Sequence, residues 1–180
     1  TLVRLEGEAI VTTPVPISFD AEARNFEISA VGDNAVVLDR TNAQIWVEGM
    51  PTAFTISGQS QALLLPPVAD VLGGEDGALA LFANPAGLGA VTPDGFRSMS
   101  GYMDMTPVRP IQVGECIYGA FYAGAGEGSI VKRCEGEEPV ITELGENLRS
   151  DGAQLEFQAN RTTVALNDMS NGTVWLVDRG

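Results

Sequence analysis

Two cysteines are the residues whose spacing predicts the clearest chemistry. Cys116 and Cys134 lie on either side of a glycine-rich segment, residues 123–129, and residue 125 is the midpoint between them. If that segment is the turn of a hairpin, the cysteines face each other across paired strands, where a disulfide can bridge them. Such a bond implies an oxidising compartment, and the chain-entropy account assigns it about 3 kcal/mol. The alternative is two free thiols that are buried separately.

The chain contains no histidine, which removes the commonest general base and the commonest metal ligand. Ser–His–Asp and Cys–His nucleophilic sites are therefore excluded, and two cysteines cannot complete a four-ligand zinc site. The segment GAGEGS lacks the spacing of a phosphate-binding loop. A glycosidase needs only two carboxylates, but with 24 acidic residues some pair will lie at the required distance by chance, so the sequence nominates no particular pair. We therefore expect no enzyme activity, no cofactor, and no catalytic or metal-binding residue.

Two oxygen-rich loops follow predicted strands, DRTN at 39–42 and NDMSNG at 167–172. Neither matches the twelve-residue loop of an EF-hand, so calcium binding is the minor interpretation. We align Asp39 with Asn167 of the second loop. A position that accepts both residue types predicts an Asx turn at the end of a strand rather than a catalytic acid.

The charge is strongly acidic, with 24 Asp and Glu against 10 Lys and Arg and a net charge of −14. Such a surface repels nucleic acid and anionic lipid. No apolar run reaches the roughly 18 residues of a membrane-spanning helix, so we expect neither a nucleic-acid partner nor insertion into a membrane. The charge indicates a soluble surface or, as the minor alternative, an acidic face for a basic partner.

Turn residues divide the chain into short apolar segments. Glycine occurs 21 times and proline 10 times among 180 residues, and the strongest hairpin signal is Asn171-Gly172. Short strands with turns at this density are typical of an all-β protein. One helical turn is expected at most, within residues 66–82.

The segment VVLD at 36–39 is repeated as VALN at 164–167, and segments 79–95 and 120–136 share its layout of two apolar runs around a turn. The copies recur every 41–44 residues, a period typical of β-propeller blades. We predict one propeller-like domain over residues 1–180, with about four blades of roughly 42 residues. The alternative is a pair of β-sandwiches. The predicted repeat units lie near 28–50, 75–95, 113–136 and 155–180, with further strands at 51–58, 61–67, 138–145 and 153–160, and residues 7–19 as the end of an earlier blade.

Aromatic residues offer two interpretations. Trp46 and Trp175 have equivalent places in their repeats, which favours packing of one blade against the next over a ligand groove. A second group clusters near the third repeat and is the better candidate for an exposed ligand-contact patch. This patch consists of Tyr102, Tyr118, Phe121 and Tyr122.

The segment LEFQANRTTVALNDMSNGTVWLVD at 155–178 and, in part, GDNAVVLDRTNAQIWV at 32–47 resemble a known pattern. It is found in propeller-like regions of large cell-surface proteins of Gram-positive bacteria, ahead of tandem fibronectin type III or Ig-like modules. The resemblance implies an extracellular region of a membrane-anchored protein that serves adhesion or ligand capture. It assigns no functional residue to this chain.

Together these features predict a non-catalytic binding or adhesion module, extracellular or on the cell surface, that recognises a protein or glycan ligand, possibly a host protein. The alternatives are a propeller-type carbohydrate-active enzyme with a carboxylate pair and a purely structural spacer. Because the chain begins at Thr1, we expect it to be part of a longer protein and a longer propeller. Unpaired propeller edges would then allow oligomer formation.

Overall fold

The computed structural model describes residues 2–6, 9–14, 26–31, 34–39, 41–56, 61–63, 80–92, 95–100, 104–123, 126–134, 136–145, 148 and 154–179. All regular secondary structure in these ranges is β-strand, which confirms the all-β prediction. Most of the segment expected to hold a helical turn, residues 66–79, lies outside the described residues, and residues 80–82 belong to a strand.

The described residues form eighteen strands, most of them short. They are β1 Leu2–Glu6, β2 Ala9–Thr13, β3 Phe26–Val31, β4 Asn34–Asp39, β5 Gln44–Val47, β6 Phe54–Thr55, β7 Gln61–Leu63, β8 Ala80–Asn84, β9 Gly87–Thr92, β10 Gly95–Ser98, β11 Thr106–Pro107, β12 Ile111–Val113, β13 Cys116–Ala123, β14 Glu127–Cys134, β15 Val140–Glu143, β16 Leu155–Asn160, β17 Thr163–Asp168 and β18 Thr173–Arg179.

The strands form five antiparallel sheets that follow one another along the chain. After the hairpin β1-β2, the first sheet is β3-β4-β5-β6 and the second is β7-β8-β9-β10. The third contains β11 to β15, and the fourth is β16-β17-β18. Each predicted copy of the repeat supplies a central hairpin to one of the last four sheets. The strand predicted at 51–58 is β6 of the first sheet, whereas the strand predicted at 61–67 is β7 of the second. In the same way, the strand predicted at 138–145 is β15 of the third sheet and the strand predicted at 153–160 is β16 of the fourth. The boundary between two sheets therefore falls between the two strands of each predicted pair.

The first and second sheets pack face to face. Leu38 and Ile45, which are paired across β4 and β5, share one hydrophobic cluster with Phe82 and Val91 of the second sheet. All four side chains are fully buried. Burial of such side chains contributes about 1.5–3 kcal/mol each, so this interface stabilises both sheets.

The opposite face of the second sheet packs on the third. Leu88 of β9 shares a cluster with Ile117, Phe121 and Val131 of the central hairpin β13-β14. The contact is tight at Gly119, where a Cβ atom would lie 2.6 Å from Cδ2 of Leu88. A residue larger than glycine at this position would force the two sheets apart.

The other face of the third sheet packs on the fourth. Ala120 and Ile130 lie in one cluster with Phe157, Val164 and Leu166. The third sheet is therefore apolar on both faces, as expected for a sheet covered on both sides. The four sheets thus form a stack in chain order.

The first and fourth sheets are copies of each other with a constant offset of 129 residues. The strands β3 and β4 correspond residue by residue to β16 and β17, and β5 begins at the equivalent of the first residue of β18. The pairing of Asp39 with Gln44 is repeated by the pairing of Asp168 with Thr173. The alignment of Asp39 with Asn167 was therefore wrong by one residue, and the equivalent of Asp39 is Asp168.

No closed barrel or propeller is formed by the sheets in the described ranges. Within the same ranges, no helix is long and apolar enough to cross a membrane. Of the segment predicted to hold strands at 7–19, residues 9–13 form β2, which pairs with β1 just before that segment. Residues 7, 8 and 15–19 lie outside the described part.

Candidate functional site

The predicted disulfide is present and joins β13 to β14, the longest hairpin in the described ranges. Cys116 and Cys134 are directly opposed in the pairing of β13 with β14, and their Cα atoms are 4.0 Å apart. The turn falls between Ala123 and Glu127, within the glycine-rich segment expected to form it. The cross-link lies at the end of the hairpin that is remote from this turn, so it fixes the register of the seven residue pairs between the disulfide and the turn.

An open cleft of about 430 Å³ lies at the turn end of this hairpin. Its walls are formed by the first residues of β14, the last residue of β15 and its continuation, and the segment before β11. The lining residues are Met105, Gly126, Glu127, Gly128, Ser129, Glu143 and Gly145. The cleft therefore combines two carboxylates, one hydroxyl and a largely glycine backbone.

The strand register brings the two carboxylates together. Ser129 pairs with Glu143 across β14 and β15, and Glu127 is two residues before Ser129, on the same face of the sheet. Glu127 and Glu143 are thus diagonal neighbours on adjacent strands. Both are exposed, so they are accessible to a ligand that carries a cation or hydroxyl groups.

Glycine backbone positions the strand that carries Glu143. The N–H of Leu144 donates to the carbonyl of Gly128 at 2.8 Å. A Cβ atom on Gly128 would lie 2.6 Å from Cδ2 of Leu148 and 2.9 Å from Cδ1 of Leu144. The missing side chain lets both leucines pack directly on the hairpin beside the cleft, which holds β15 in place.

The sequence did not nominate this pair of glutamates. Glu127 stands next to the glycine-rich turn and Glu143 ends a short exposed strand, and 16 positions separate them along the chain. Only the register of β14 with β15 makes them neighbours. A usable signal was the glycine on each side of Glu127, since backbone without side chains allows a ligand to approach closely.

The prediction of an exposed aromatic contact patch is wrong for Tyr118 and Phe121, which are buried. Tyr118 is 2% exposed and Phe121 is 0% exposed, because β13 lies in the middle of a sheet that is covered on both faces. Tyr122 is half-buried against the cluster between the third and fourth sheets. Tyr102 lies outside the described residues.

Tyr118 instead belongs to a polar cluster that joins the third and fourth sheets. Its hydroxyl donates to Oδ2 of Asp178 in β18 at 2.8 Å. The same oxygen accepts a hydrogen bond from Nζ of Lys132, which pairs with Tyr118 across the hairpin. Burial, the hydrogen bond to Asp178 and the charge of Asp178 raise the pKa of the Tyr118 hydroxyl well above its usual range. The hydroxyl is therefore a neutral donor that fastens the two sheets together.

The aspartates at the ends of β4 and β17 form turns. Oδ1 of Asp39 accepts the N–H groups of Thr41 and Asn42 at 2.9 and 3.0 Å. Oδ1 of Asp168 accepts the N–H of Ser170 at 2.9 Å. Both carboxylates are fully buried, and this Asx geometry is the one predicted for the loop of Asp39.

Calcium binding has no ligand set to support it in these loops. In the described ranges no group of three or more acidic, cysteine or histidine residues is arranged to hold a metal ion. The carboxylate oxygens of Asp39 are already engaged by the turn backbone and by Nδ2 of Asn42.

The two tryptophans are packing residues at equivalent positions. Trp46 is 2% exposed, and its Nε1 donates to the carbonyl of Met50 in its own sheet at 3.0 Å. Trp175 is half-buried in the cluster between the third and fourth sheets, and its Nε1 donates to Leu144 of the preceding sheet at 3.2 Å. Packing of one repeat on another is thus observed at Trp175.

Comparison of the chain with known protein families, with curated proteins and with solved structures finds no match in any of the three. The cleft with Glu127 and Glu143 is therefore assessed on its geometry alone.

Proposed function

We propose that this protein is a non-catalytic binding module that recognises a protein or glycan ligand through the cleft at the turn end of the β13-β14 hairpin. The observation that supports this proposal is the diagonal pair of exposed glutamates, Glu127 and Glu143, on a glycine backbone. Carboxylates accept hydrogen bonds from sugar hydroxyls and form ion pairs with Lys or Arg. The open shape admits part of a larger ligand.

Packing of the hairpin that carries Glu127 also favours binding. The hairpin that carries Glu127 is fixed by the Cys116–Cys134 disulfide and is buried between two sheets. A preorganised site loses less conformational entropy when a ligand binds. The net charge of −14 adds a long-range attraction for a cationic ligand.

The same proposal includes an architecture, in which the four stacked sheets are successive blades of a propeller. Three features support it: the sheets are antiparallel, they follow one another in the chain, and each packs on the next with one face. In tandem β-sandwiches, by contrast, strands of one domain alternate between two packed sheets. The sheets here are each built from consecutive strands, which favours the propeller.

The proposed location is extracellular or at the cell surface, in a membrane-anchored parent protein whose ligands include a host protein. The disulfide supports an oxidising compartment, since such bonds persist mainly outside the cytosol. The resemblance of residues 155–178 to cell-surface proteins is the second source of this proposal.

The binding role is tested by screening the purified protein against a glycan array and a panel of basic proteins. A ligand found in this way should bind at least tenfold more weakly to Glu127→Gln and Glu143→Gln variants, because each removes one charged acceptor. Glu138→Gln is the control, since Glu138 is exposed and lies outside the cleft. Equal losses for all three variants would contradict a site in the cleft.

A second candidate function uses the same two residues as a catalytic pair. Glu127 and Glu143 lie on one face as diagonal neighbours on adjacent strands, and inverting glycosidases use two carboxyl groups about 6.5–9.5 Å apart, a separation that two flexible glutamate side chains at these positions can reach. Release of reducing sugar from a glycan, lost in either Gln variant, would establish this activity. Binding without hydrolysis supports the first function, and neither activity supports a structural spacer.

A further inference from the structure

Among the described residues, no further sheet shares a hydrophobic cluster with either end of the four-sheet stack. The outer face of the fourth sheet, here called the tail face, carries Val174 and Leu176 of β18, which are 56% and 55% exposed. The outer face of the first sheet, here called the head face, carries Ile28 of β3, which is 72% exposed. Exposed aliphatic side chains at this level mark surfaces that bind other proteins more often than scattered surface residues do.

The offset of 129 residues identifies, for each residue of the two outer faces, the equivalent residue in the other sheet and the surface on which that residue packs. Val174 and Leu176 of the tail face are equivalent to Ile45 and Val47 of the first sheet. In the first sheet these residues pack on the following sheet, against Phe82. The tail face is therefore a copy of a face that elsewhere in this chain covers the next sheet.

The head face follows the same rule in the opposite direction. Ile28 is equivalent to Phe157 of the fourth sheet. Phe157 is 8% exposed and packs, together with Trp175, on the preceding sheet. The head face is therefore a copy of a face that covers the sheet before it, and Met50 and Ala53 already pack on it over Trp46.

We propose that the tail face of one molecule docks on the head face of a second copy of this chain. The occupant is a second copy because the head and tail faces reproduce the two sides of the sheet-on-sheet interfaces already formed inside the molecule. Val174 and Leu176 of the tail face and Ile28 of the head face are exposed, whereas Val37 and Trp46 of the head face are covered by Met50 and Ala53 of the same sheet. The contact is heterologous, since it joins two different surfaces, so it produces a closed ring or an open chain of molecules.

Electrostatics opposes this association and makes it salt-dependent. Each copy carries a net charge of −14, so two copies repel each other at low ionic strength. The Debye length shortens from about 30 Å at 0.01 M salt to about 8 Å at 0.15 M. Association through apolar faces should therefore strengthen as salt is added, whereas an assembly held by ion pairs would weaken.

The experiment compares three variants by sedimentation equilibrium over a range of protein and salt concentrations. Ile28→Glu blocks the head face and Leu176→Glu blocks the tail face, and each alone should remain monomeric where the unaltered protein associates. An equimolar mixture should form a dimer and nothing larger, because an intact tail meets an intact head only once. Ile141→Glu is the matched control, since Ile141 is 53% exposed in the third sheet, and it should associate like the unaltered protein.

Circular dichroism and urea unfolding of each variant show that loss of association is not loss of folding. The proposal is overturned if the unaltered protein is monomeric at every salt concentration. It is also overturned if Leu176→Glu prevents association while Ile28→Glu does not, and the mixture of the two variants forms no dimer. That result would indicate a symmetric tail-to-tail contact. Ligand binding by the cleft is a separate readout, because Glu127 and Glu143 lie on neither face.

Discussion

Asp39 and Asp168 occupy the same position in the first and fourth sheets, but their carboxylates are satisfied to different degrees. Both oxygens of Asp39 accept hydrogen bonds, and Nδ2 of Asn42 donates to Oδ2 at 2.7 Å. In Asp168, Oδ1 accepts from the backbone and hydroxyl of Ser170, while Oδ2 is buried without a hydrogen-bond partner. The same turn is therefore fully satisfied in one copy and half satisfied in the other.

We expect Asp39→Ala to cost more stability than Asp168→Ala. Loss of the Asp39 carboxylate leaves two turn N–H groups without acceptors, which costs about 2 kcal/mol. Loss of the Asp168 carboxylate also removes a buried oxygen that had no partner, so the net cost should be about 1 kcal/mol or less. Urea unfolding of the two variants measures both free energies, and equal losses would contradict the difference.

The disulfide should carry a large part of the stability of the third sheet. Replacing both Cys116 and Cys134 by alanine is expected to lower the free energy of unfolding by about 3 kcal/mol, because the unfolded chain gains conformational freedom. The unaltered protein should show no titratable thiol in its native state, since both cysteines are bonded. Detection of two thiols before reduction would contradict the bond.

The close contact at Gly119 should be sensitive to a single added methyl group. Gly119→Ala places a Cβ atom against Leu88, and overpacking of this kind costs about 1–3 kcal/mol. Leu88→Ala creates a cavity at the same place and costs about 2–5 kcal/mol. The double variant should lose less than the sum of the two, because the new methyl group fills part of the cavity. Strict additivity in urea unfolding would show that the two positions do not touch.

Alkaline pH should weaken the junction between the third and fourth sheets. The raised pKa of Tyr118 means that the folded chain holds the hydroxyl proton more tightly than the unfolded chain does. This contribution is complete below the ordinary tyrosine pKa of about 10 and is lost as the pH rises from there toward the raised value. The free energy of unfolding should fall across that interval, and Tyr118→Phe should flatten the fall.

Absorbance of the tyrosinate form provides the control for this experiment. Of the three tyrosines in the chain, one should ionise only at more alkaline pH or on unfolding, and it should be missing in Tyr118→Phe. Ionisation of all three together near the ordinary pKa would contradict the environment described for Tyr118.

Local features of the sequence were sufficient to predict the all-β fold and the disulfide. Cys116 and Cys134 belong to one hairpin, so a single turn decides whether they meet. The repeat was located but set one residue out of register, because VVLD and VALN each place apolar residues at consecutive positions. With apolar residues on both faces, strict alternation is lost and no longer fixes the phase of a strand. The two tryptophans, 129 residues apart, were the better guide.

The candidate site could not be predicted because it depends on contacts between strands and between sheets. Glu127 and Glu143 become neighbours only through the pairing of β14 with β15. Tyr118 and Phe121 have the composition of a contact patch, but sheets on both sides of β13 cover them. Burial of that kind is set by the stacking of whole sheets, which no short segment of sequence encodes.

Lys132 is the only lysine in the chain, and its side-chain amine is held by Asp178 at the junction of the third and fourth sheets. Reagents that modify lysine side chains therefore have a single target in this chain. Acetylation or an amine-reactive label at Lys132 removes the positive charge and the contact with Asp178 together. The Lys132 side chain is 34% exposed in the folded chain, so the rate of its modification measures how strongly the contact with Asp178 protects this amine.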